Sequence, residues 1–449
     1  MKKITPIITG FILIFCLIIA KVEFSQGQQD GNDFRLTANA SQSVYQNGVP
    51  HTDRMGRLLM KYDPESSFLP ICLYHTLTGE HHGRLYSLAP IKQAGFNCVH
   101  TWEGQNLASV IEDAKQNNLQ IIYHGTNYSG PTDEELQKYK NDATILAWYL
   151  REEPTGVYWG RNMETQFSEF QKRIQEIKKI DNIHPVFIID TSTITPPQRT
   201  WWLRWNSAGD ISSHDNYRIG PGITSISAST GIPETVSLAV EINNQKKPVW
   251  FVPQSFELFS PHSKYHLSMP NSREERAMIY ASIIHGSTGI IYFALDSFVT
   301  RDGNVIGIAE NTAKDYSDRR NVGFTASEGQ RNMSQLLWDE VVRVNQELTE
   351  LKPIILSPTS PENYKVYVQG HSYTDSPVRS ILKEVSGELT LLTVNLDKRP
   401  LRVKYEFPRS ILGLQTLFEE GRNVAEMKDK FWVDTYEEFG VHIYKFKLK

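Results

Sequence analysis

The sequence has few cysteines and little net charge. Its 449 residues include three cysteines, and 47 Lys and Arg against 51 Asp and Glu give a net charge of −4. Nucleic acid and anionic lipid are bound through a basic face, so this balance argues against either as the main partner. Beyond Cys16 in the N-terminal run, only Cys72 and Cys98 remain, too few for a disulfide framework. We expect two buried free thiols, with a single bridge as the alternative if their strands are neighbours.

Signatures of metals and cofactors are also missing. Thirteen histidines are scattered along the chain, and the cysteines lack the paired spacing of zinc ligands. No GxGxxG turn follows the first predicted strand, which argues against a doubly wound dinucleotide-binding sheet. A Gly-x-Ser-x-Gly elbow is absent as well, so a barrel esterase or lyase is the least favoured reading. We predict neither metal nor cofactor.

Long apolar runs are confined to the N-terminus. Lys2 and Lys3 precede an apolar run over 4–20, and a polar stretch follows it. This order predicts a secretory signal cleaved after Gly27. An uncleaved anchor is the alternative, although about 17 residues is the lower limit for spanning a bilayer. We therefore expect an exported protein (periplasmic, cell-surface or secreted) with no stable membrane span after signal removal.

What the chain does contain is a repeated alternation of apolar, β-branched runs with helical stretches. Continuous apolar strands separated by helices predict parallel strands covered on both faces. Eight such units over roughly 250 residues fit an α/β fold of the (β/α)8 TIM barrel type. The predicted strands are Phe68–His75, Asn97–Trp102, Leu119–Gly125, Ile145–Glu153, His184–Asp190, Asp210–Tyr217, Pro248–Phe256 and Gly289–Ser297.

The pattern changes after a long predicted helix that ends at Leu351. Pro353, Pro358 and Pro361 mark a boundary, and short alternating strands without helices follow, which predicts a small all-β sandwich. The predicted division is a signal peptide over 1–27, an N-terminal linker and barrel entry over 28–64, the barrel over 65–352 and the sandwich over 353–449. The polar loop 300–325 is long enough for a lid or subsite loop.

Polar and aromatic side chains follow most of the predicted strands. Because barrel enzymes build their sites at the C-terminal ends of the strands, we expect these side chains to converge on one face. Carboxylates, amides and aromatic rings together suit carbohydrate, whose hydroxyls they hydrogen-bond and whose apolar faces they cover. The predicted substrate-binding residues are Glu152, Trp102, His124, Asp215, Tyr217, Gln254 and Asp296.

Glu153 is the best catalytic candidate. It ends an apolar strand and precedes Pro154, a position where partial desolvation raises the pKa of a carboxyl and suits a general acid. Strand alternation would send Glu152 to the opposite face, although that rule is weaker at a frayed strand end. The alternative is that both glutamates form salt bridges with barrel arginines such as Arg151.

The aromatic run over 200–205 has two interpretations, and the sequence does not favour either. Trp201, Trp202 and Trp205 either pack a helix onto the barrel or form a sugar-stacking wall beside the site.

The segment Trp148-Tyr149-Leu150-Arg151-Glu152-Glu153-Pro154 resembles the fourth-strand signature of clan A-like (β/α)8-barrel glycoside hydrolases, many of which carry a C-terminal β-sandwich. The resemblance implies that Glu153 is the general acid/base. It also implies a nucleophilic glutamate at the end of the seventh strand, where this chain has Gln254, which cannot attack an anomeric carbon. Glu257 is therefore the predicted second catalytic residue, with Asp215 or Asp296 as alternatives. Glu152 stands where Asn or Asp is usual.

Together these features predict an exported glycoside hydrolase that cleaves a poly- or oligosaccharide. Because the expected seventh-strand glutamate is missing, a noncatalytic carbohydrate-binding barrel is the rival hypothesis.

Overall fold

The computed structural model describes residues 34–37, 43–81, 84–102, 104–125, 130–192, 194–259, 266–299, 303–308, 326–371 and 376–449. The predicted signal peptide and most of the predicted loop 300–325 lie outside these ranges. Among the described helices, none combines the length and apolar character that a membrane span requires.

The described strands, in chain order, are β1 (Phe34–Thr37), β2 (His51–Thr52), β3 (Leu58–Leu59), β4 (Ile71–Thr76), β5 (Gly79–His81), β6 (Arg84–Tyr86), β7 (Cys98–Thr101), β8 (Gln120–His124), β9 (Ile145–Glu152), β10 (Val186–Ile189), β11 (Ser212–Asp215), β12 (Ile219–Gly220), β13 (Ile223–Thr224), β14 (Val249–Val252), β15 (Glu257–Phe259), β16 (His266–Leu267), β17 (Gly289–Tyr292), β18 (Phe298–Val299), β19 (Asn304–Ile306), β20 (Lys365–Gln369), β21 (Val378–Val385), β22 (Glu388–Asn395), β23 (Leu401–Glu406), β24 (Ile411–Thr416), β25 (Glu426–Met427), β26 (Phe431–Tyr436) and β27 (Val441–Leu448).

The described helices are α1 (Ala89–Gln93), α2 (Leu107–Gln116), α3 (Asp133–Tyr139), α4 (Pro154–Val157), α5 (Met163–Ile180), α6 (Arg199–Ala208), α7 (Ile232–Ile242), α8 (Ser272–Ile284) and α9 (Glu328–Ile355).

Eight parallel strands form the barrel, in the order β10-β9-β8-β7-β4-β17-β14-β11. Parallel bridges from Phe187 to Ile211 and from Asp190 to His214 join the two ends of this series and close it. Each predicted strand overlaps one barrel strand, so the predicted (β/α)8 fold is confirmed. In chain order, the first to eighth barrel strands are β4, β7, β8, β9, β10, β11, β14 and β17.

Alternation along the strands divides the barrel into an inner and an outer core. On β8, Ile121 and Tyr123 pack outward with the helices, whereas Ile122 packs in the barrel interior. His124 is two residues beyond Ile122 and keeps the inward direction, since side chains alternate along a strand. The polar ends of the strands therefore lie on top of an apolar barrel interior.

The C-terminal residues form two antiparallel sheets that pack as a sandwich. Their strand orders are β1-β20-β23-β26-β25 and β21-β22-β27-β24. The sandwich prediction is confirmed, but Phe34–Thr37 contributes a strand to it although 28–64 was predicted as linker and barrel entry. The last barrel helix also continues through Pro353 and ends at Ile355.

The barrel and the sandwich share one hydrophobic core. Leu392 and Ile443 of the sandwich belong to the same buried cluster as the apolar faces of α8 and α9. Across this interface the Arg276 guanidinium donates 2.9 Å hydrogen bonds to the Glu347 carboxylate and to the Val441 carbonyl. A buried charge is stable only when paired in this way, so the two parts hold a fixed relation.

A disulfide joins the first two barrel strands. Cys72 and Cys98 are directly opposed in the parallel pair β4–β7, with their Cα atoms 4.5 Å apart, within the range that a disulfide spans. The expectation of free thiols is therefore wrong, and the alternative of a bridge between neighbouring strands is the one realised. The spacing in the sequence could not show it, because the register of β4 against β7 decides whether the two sulfurs meet.

We expect reduction of this disulfide to destabilise the protein. A closed loop with a sequence separation of 26 residues corresponds to about 3–4 kcal/mol of unfolded-state entropy. The double variant Cys72→Ala/Cys98→Ala should unfold at a lower temperature than the wild type and should no longer respond to dithiothreitol. Alkylation in denaturant should label neither cysteine before reduction, and labelling of both would contradict the bridge.

Candidate functional site

The fourth barrel strand ends in a residue with left-handed backbone. Glu153 follows Glu152, the last residue of β9, and has φ 37° and ψ 51°, a conformation that non-glycine residues rarely adopt. Its N–H donates to the Ile189 carbonyl at 2.8 Å, and α4 begins directly at Pro154. The left-handed turn cancels strand alternation, so the neighbouring carboxylates Glu152 and Glu153 face the same space and repel each other.

Arg151, by contrast, points away from both glutamates. Its guanidinium donates to the Tyr158 hydroxyl at 2.6 Å and to the Gln166 side-chain carbonyl at 3.0 Å. The alternative that the glutamate pair serves to salt-bridge Arg151 therefore has no support in the described contacts.

Glu152 is held by two tyrosines of the barrel interior. Its Oε2 accepts hydrogen bonds from Tyr74 at 2.5 Å and from Tyr149 at 2.6 Å. Burial and the charge of Glu153 raise the pKa of Glu152 to about 7, although both hydroxyl donors act against that shift. Glu152 is therefore an oriented carboxyl that titrates near neutral pH.

Asp215, at the end of the sixth barrel strand, is the carboxyl that contacts Glu153. It is 3% exposed, and its side chain is hydrogen-bonded to that of Glu153. Burial, followed by the charge of Glu153, raises the pKa of Asp215 well above its usual range. Asp215 therefore keeps its proton above its usual range and can donate it in the hydrogen bond to Glu153.

The sequence analysis did not identify Asp190, which directly follows the fifth barrel strand. This buried carboxylate accepts hydrogen bonds from the Thr155 N–H at 2.9 Å and the Thr155 hydroxyl at 2.5 Å, and from the Thr191 N–H at 3.0 Å. It thereby fixes the turn after Glu153. Burial raises the pKa of Asp190 to about 7. Asp190 could have been identified from the sequence because, like Glu153, it directly follows an apolar strand.

Tyr217 belongs to the same group of side chains. Burial and then the charges of Asp215 and Glu153 raise the pKa of its phenol well above the usual value, so the hydroxyl stays protonated as a donor. Its ring lies 4.9 Å from that of Phe256 and 6.0 Å from that of Phe293. The predicted convergence thus brings together Glu152, Glu153, Asp215 and Tyr217.

Glu257, the predicted second catalytic residue, lies elsewhere. After the seventh strand the chain leaves the barrel, and Glu257 begins β15 in a separate antiparallel sheet with β16 and β19. Its carboxylate accepts from the Gln330 side chain at 2.9 Å and lies 3.6 Å from the His266 ring. The described contacts join Glu153 to Asp215 and do not join it to Glu257, so the pairing of Glu153 with Glu257 stays a prediction.

Gln254 is buried and engaged by the backbone. Its amide donates to the Ile219 and Ser268 carbonyls at 2.9 and 2.8 Å and accepts from the Ile219 N–H at 2.9 Å. These bonds hold the chain segments at Ile219 and Ser268 in place, and the predicted substrate-binding role of Gln254 stays a prediction. Asp296 is buried beyond the eighth strand.

Histidines occupy the ends of the first three barrel strands. One potential ligand atom each from His75, His100 and His124 lies within 4.8 Å of the others, close enough for the three to hold a metal ion together. The predicted substrate contact His124 is buried within this cluster, and Trp102 lies with its ring 4.6 Å from that of His75. Sequence spacing did not indicate the cluster, because its members come from three separate strands.

The tryptophans of α6 mostly pack the helix onto the barrel. Trp202 and Trp205 are fully buried, whereas Trp201 is half-buried beneath the Arg204 guanidinium at 4.3 Å. The packing interpretation is correct for the two buried rings.

No protein-family model matches the chain, and no curated protein matches it significantly. Solved structures share its fold. One described as a glycoside hydrolase has a TM-score of 0.54 at 16% identity, over 90% of this chain and 97% of the other. A beta-galactosidase from Bacillus circulans sp. alkalophilus has a TM-score of 0.50 at 9% identity, over 84% and 99%. At these identities the likeness establishes a shared barrel-and-sandwich fold.

The raised pKa of Asp215 predicts how Asp215→Asn changes stability. In the unfolded chain Asp215 ionises above about pH 4, whereas the folded protein retains its proton to higher pH, so its contribution to stability is lost as the pH rises. Asn cannot ionise and removes this loss. We expect the melting temperature of the variant, relative to the wild type, to increase between pH 4.5 and pH 8. A pH-independent difference would show that Asp215 does not keep its proton in the folded protein.

Proposed function

We propose that the protein is a glycoside hydrolase in which Glu153 is the general acid/base. The observation that carries this proposal is the hydrogen-bonded pair Glu153–Asp215, placed beside Glu152 at the C-terminal ends of the barrel strands. This is the face on which (β/α)8 barrels build active sites. The shared fold with solved glycoside hydrolases supports the assignment.

The pair is suited to proton transfer. Asp215 is almost completely buried, whereas Glu153 is half-buried, so Glu153 is the member that a substrate can reach. In this proposal Glu153 donates a proton to the glycosidic oxygen as the bond from that oxygen to the anomeric carbon breaks. Water then forms the new bond to the anomeric carbon and loses a proton to the Glu153–Asp215 pair, which restores the starting state.

Glu152 has a different role in the proposal. Its two tyrosine donors stabilise the ionised form, and its carboxyl faces the same space as that of Glu153. An oriented carboxylate there offsets the positive charge that develops on the sugar ring in an oxocarbenium-like transition state. The Tyr217 hydroxyl is a donor for a sugar hydroxyl or for the departing oxygen.

Activity on a panel of poly- and oligosaccharides, followed by release of reducing ends, tests the proposal. We expect Glu153→Gln and Asp215→Asn each to lower kcat by about 10²–10⁴-fold, because the first removes the proposed proton donor and the second removes the acid that is hydrogen-bonded to it. Glu257→Gln is the matched control, since its carboxylate lies in a different sheet, and it should keep activity near that of the wild type. Full activity of Glu153→Gln would remove Glu153 from its role.

The same panel tests the rival function. The buried Gln254, at the strand end where a nucleophile is expected, favours a noncatalytic carbohydrate-binding barrel. Calorimetric binding of a glycan by the wild type without any product, unchanged in Glu153→Gln, would establish the rival and reject the hydrolase.

We also propose that the protein is exported. The basic and apolar N-terminal pattern has the order of a secretory signal. The Cys72–Cys98 disulfide supports an oxidising compartment, since such bridges are rare in reducing cytosol.

Fractionation of cells that express the full chain tests export. The mature protein should leave the cytosol and begin at Gln28, as determined by N-terminal sequencing. Recovery of an uncleaved chain in the membrane fraction would instead support the anchor alternative.

A further inference from the structure

The three histidines at the barrel mouth come from adjacent strands. His100 lies on β7, and His75 and His124 lie on its two neighbours in the barrel, β4 and β8. One ring nitrogen from each lies within 4.8 Å of the others. The cluster adjoins the proposed hydrolase site through Tyr74 and Tyr149, which hold Glu152, but the inference uses only the histidines and does not rest on that function.

The backbone at His75 is shaped to bring its ring into the cluster. His75 has φ 53°, and the β4–β7 register shifts by one residue between Leu73 and Thr76. Regular alternation would send His75 to the side opposite Tyr74. A left-handed residue at a bulge costs free energy and persists where its surroundings or its function require it.

Two of the three rings have unused hydrogen-bonding capacity. Within the described part of the chain, Nδ1 of His75 and both ring nitrogens of His100 are buried without a hydrogen-bond partner. A buried polar group without a partner destabilises the folded state unless a ligand satisfies it.

Aromatic packing alone does not account for these residues. The His100 ring stacks on Tyr74 at 3.9 Å and meets Tyr149 edge-on at 4.8 Å. A phenylalanine would make the same contacts without two buried nitrogens. The aromatic contacts therefore do not account for the two buried ring nitrogens of His100.

We propose that His75, His100 and His124 form a binding site for one divalent transition-metal cation of the zinc class. Three imidazoles are the usual protein ligands of an open tetrahedral zinc site, in which water or substrate occupies the fourth position. Ligands about 2.0–2.1 Å from zinc lie about 3.3 Å apart, so modest side-chain rotations bring the three nitrogens into range. Imidazole ligands select zinc, copper or nickel over magnesium or calcium.

The test uses the full chain without a polyhistidine tag, stripped with a chelator and titrated with Zn²⁺. We expect one zinc per chain by calorimetry and by elemental analysis after gel filtration. Co²⁺ should give the visible absorption of a tetrahedral site, which adventitious surface binding does not. Zinc should also raise the melting temperature of the wild type, since it binds the folded state.

Two variants locate the site. His100→Phe keeps the stacked ring on Tyr74 but removes both nitrogens, and His75→Asn tolerates the left-handed backbone while removing the imidazole. Each should weaken zinc binding at least about 100-fold. The matched control is His214→Phe, another buried barrel histidine, packed edge-on against Trp202 at 5.4 Å, and it should bind zinc as the wild type does.

The outcomes are decisive in both directions. Loss of the Co²⁺ spectrum in folded His100→Phe or His75→Asn, with retention in His214→Phe, supports the site. A wild type that binds no zinc, or variants that bind it as tightly as the wild type, overturns the proposal. Should His100→Phe fail to fold, His75→Asn alone still decides.

Discussion

The left-handed backbone of Glu153 is the constraint on which the candidate site depends. In a regular strand, Glu152 and Glu153 would point to opposite faces, and only one could reach the barrel mouth. The Ile189 carbonyl fixes the Glu153 N–H, and Asp190 holds the following Thr155. The fifth strand therefore imposes on the fourth a conformation that the fourth would not adopt alone.

This constraint places four carboxyls in a small space. Burial, and then the like charges of the neighbouring carboxyls, raise the pKa of Asp215 well above its usual range and the pKa values of Glu152 and Asp190 to about 7. Such an arrangement destabilises the folded state at neutral pH. Active sites commonly carry this kind of destabilisation, because function selects the arrangement and the rest of the fold tolerates it.

Much of the fold could be predicted from sequence, because parallel barrel strands are buried on both faces and read as continuous apolar runs. The sandwich was also predictable, because apolar and polar residues alternate along its short strands and no helices separate them. Strand β1 was not, because Phe34–Thr37 is short and its pairing with β20 depends on contacts more than 300 residues away. The disulfide likewise depends on strand register.

The site was predictable only in part. Glu153 was identifiable from its motif and from Pro154, and Asp215 was among the alternatives. The left-handed turns at Glu153 and His75 were not predictable, because neighbouring strands rather than local propensity impose them. That Glu257 lies on a separate sheet was not predictable, because the chain turns out of the barrel after Gln254 through pairing with residues distant in sequence.

The pairing of β1 with β20 bears on how the chain is assembled. Ribosomes release the N-terminal residues first, so Phe34–Thr37 emerges long before Lys365–Gln369 exists to receive it. The outer sheet of the sandwich can be completed only after nearly the whole polypeptide has been made. Such distant pairing slows folding, because a very long loop must close before its contacts form. The barrel can form first, because its strands mostly pair with near neighbours in sequence. Its helices α8 and α9 then provide the surface against which the last strands pack.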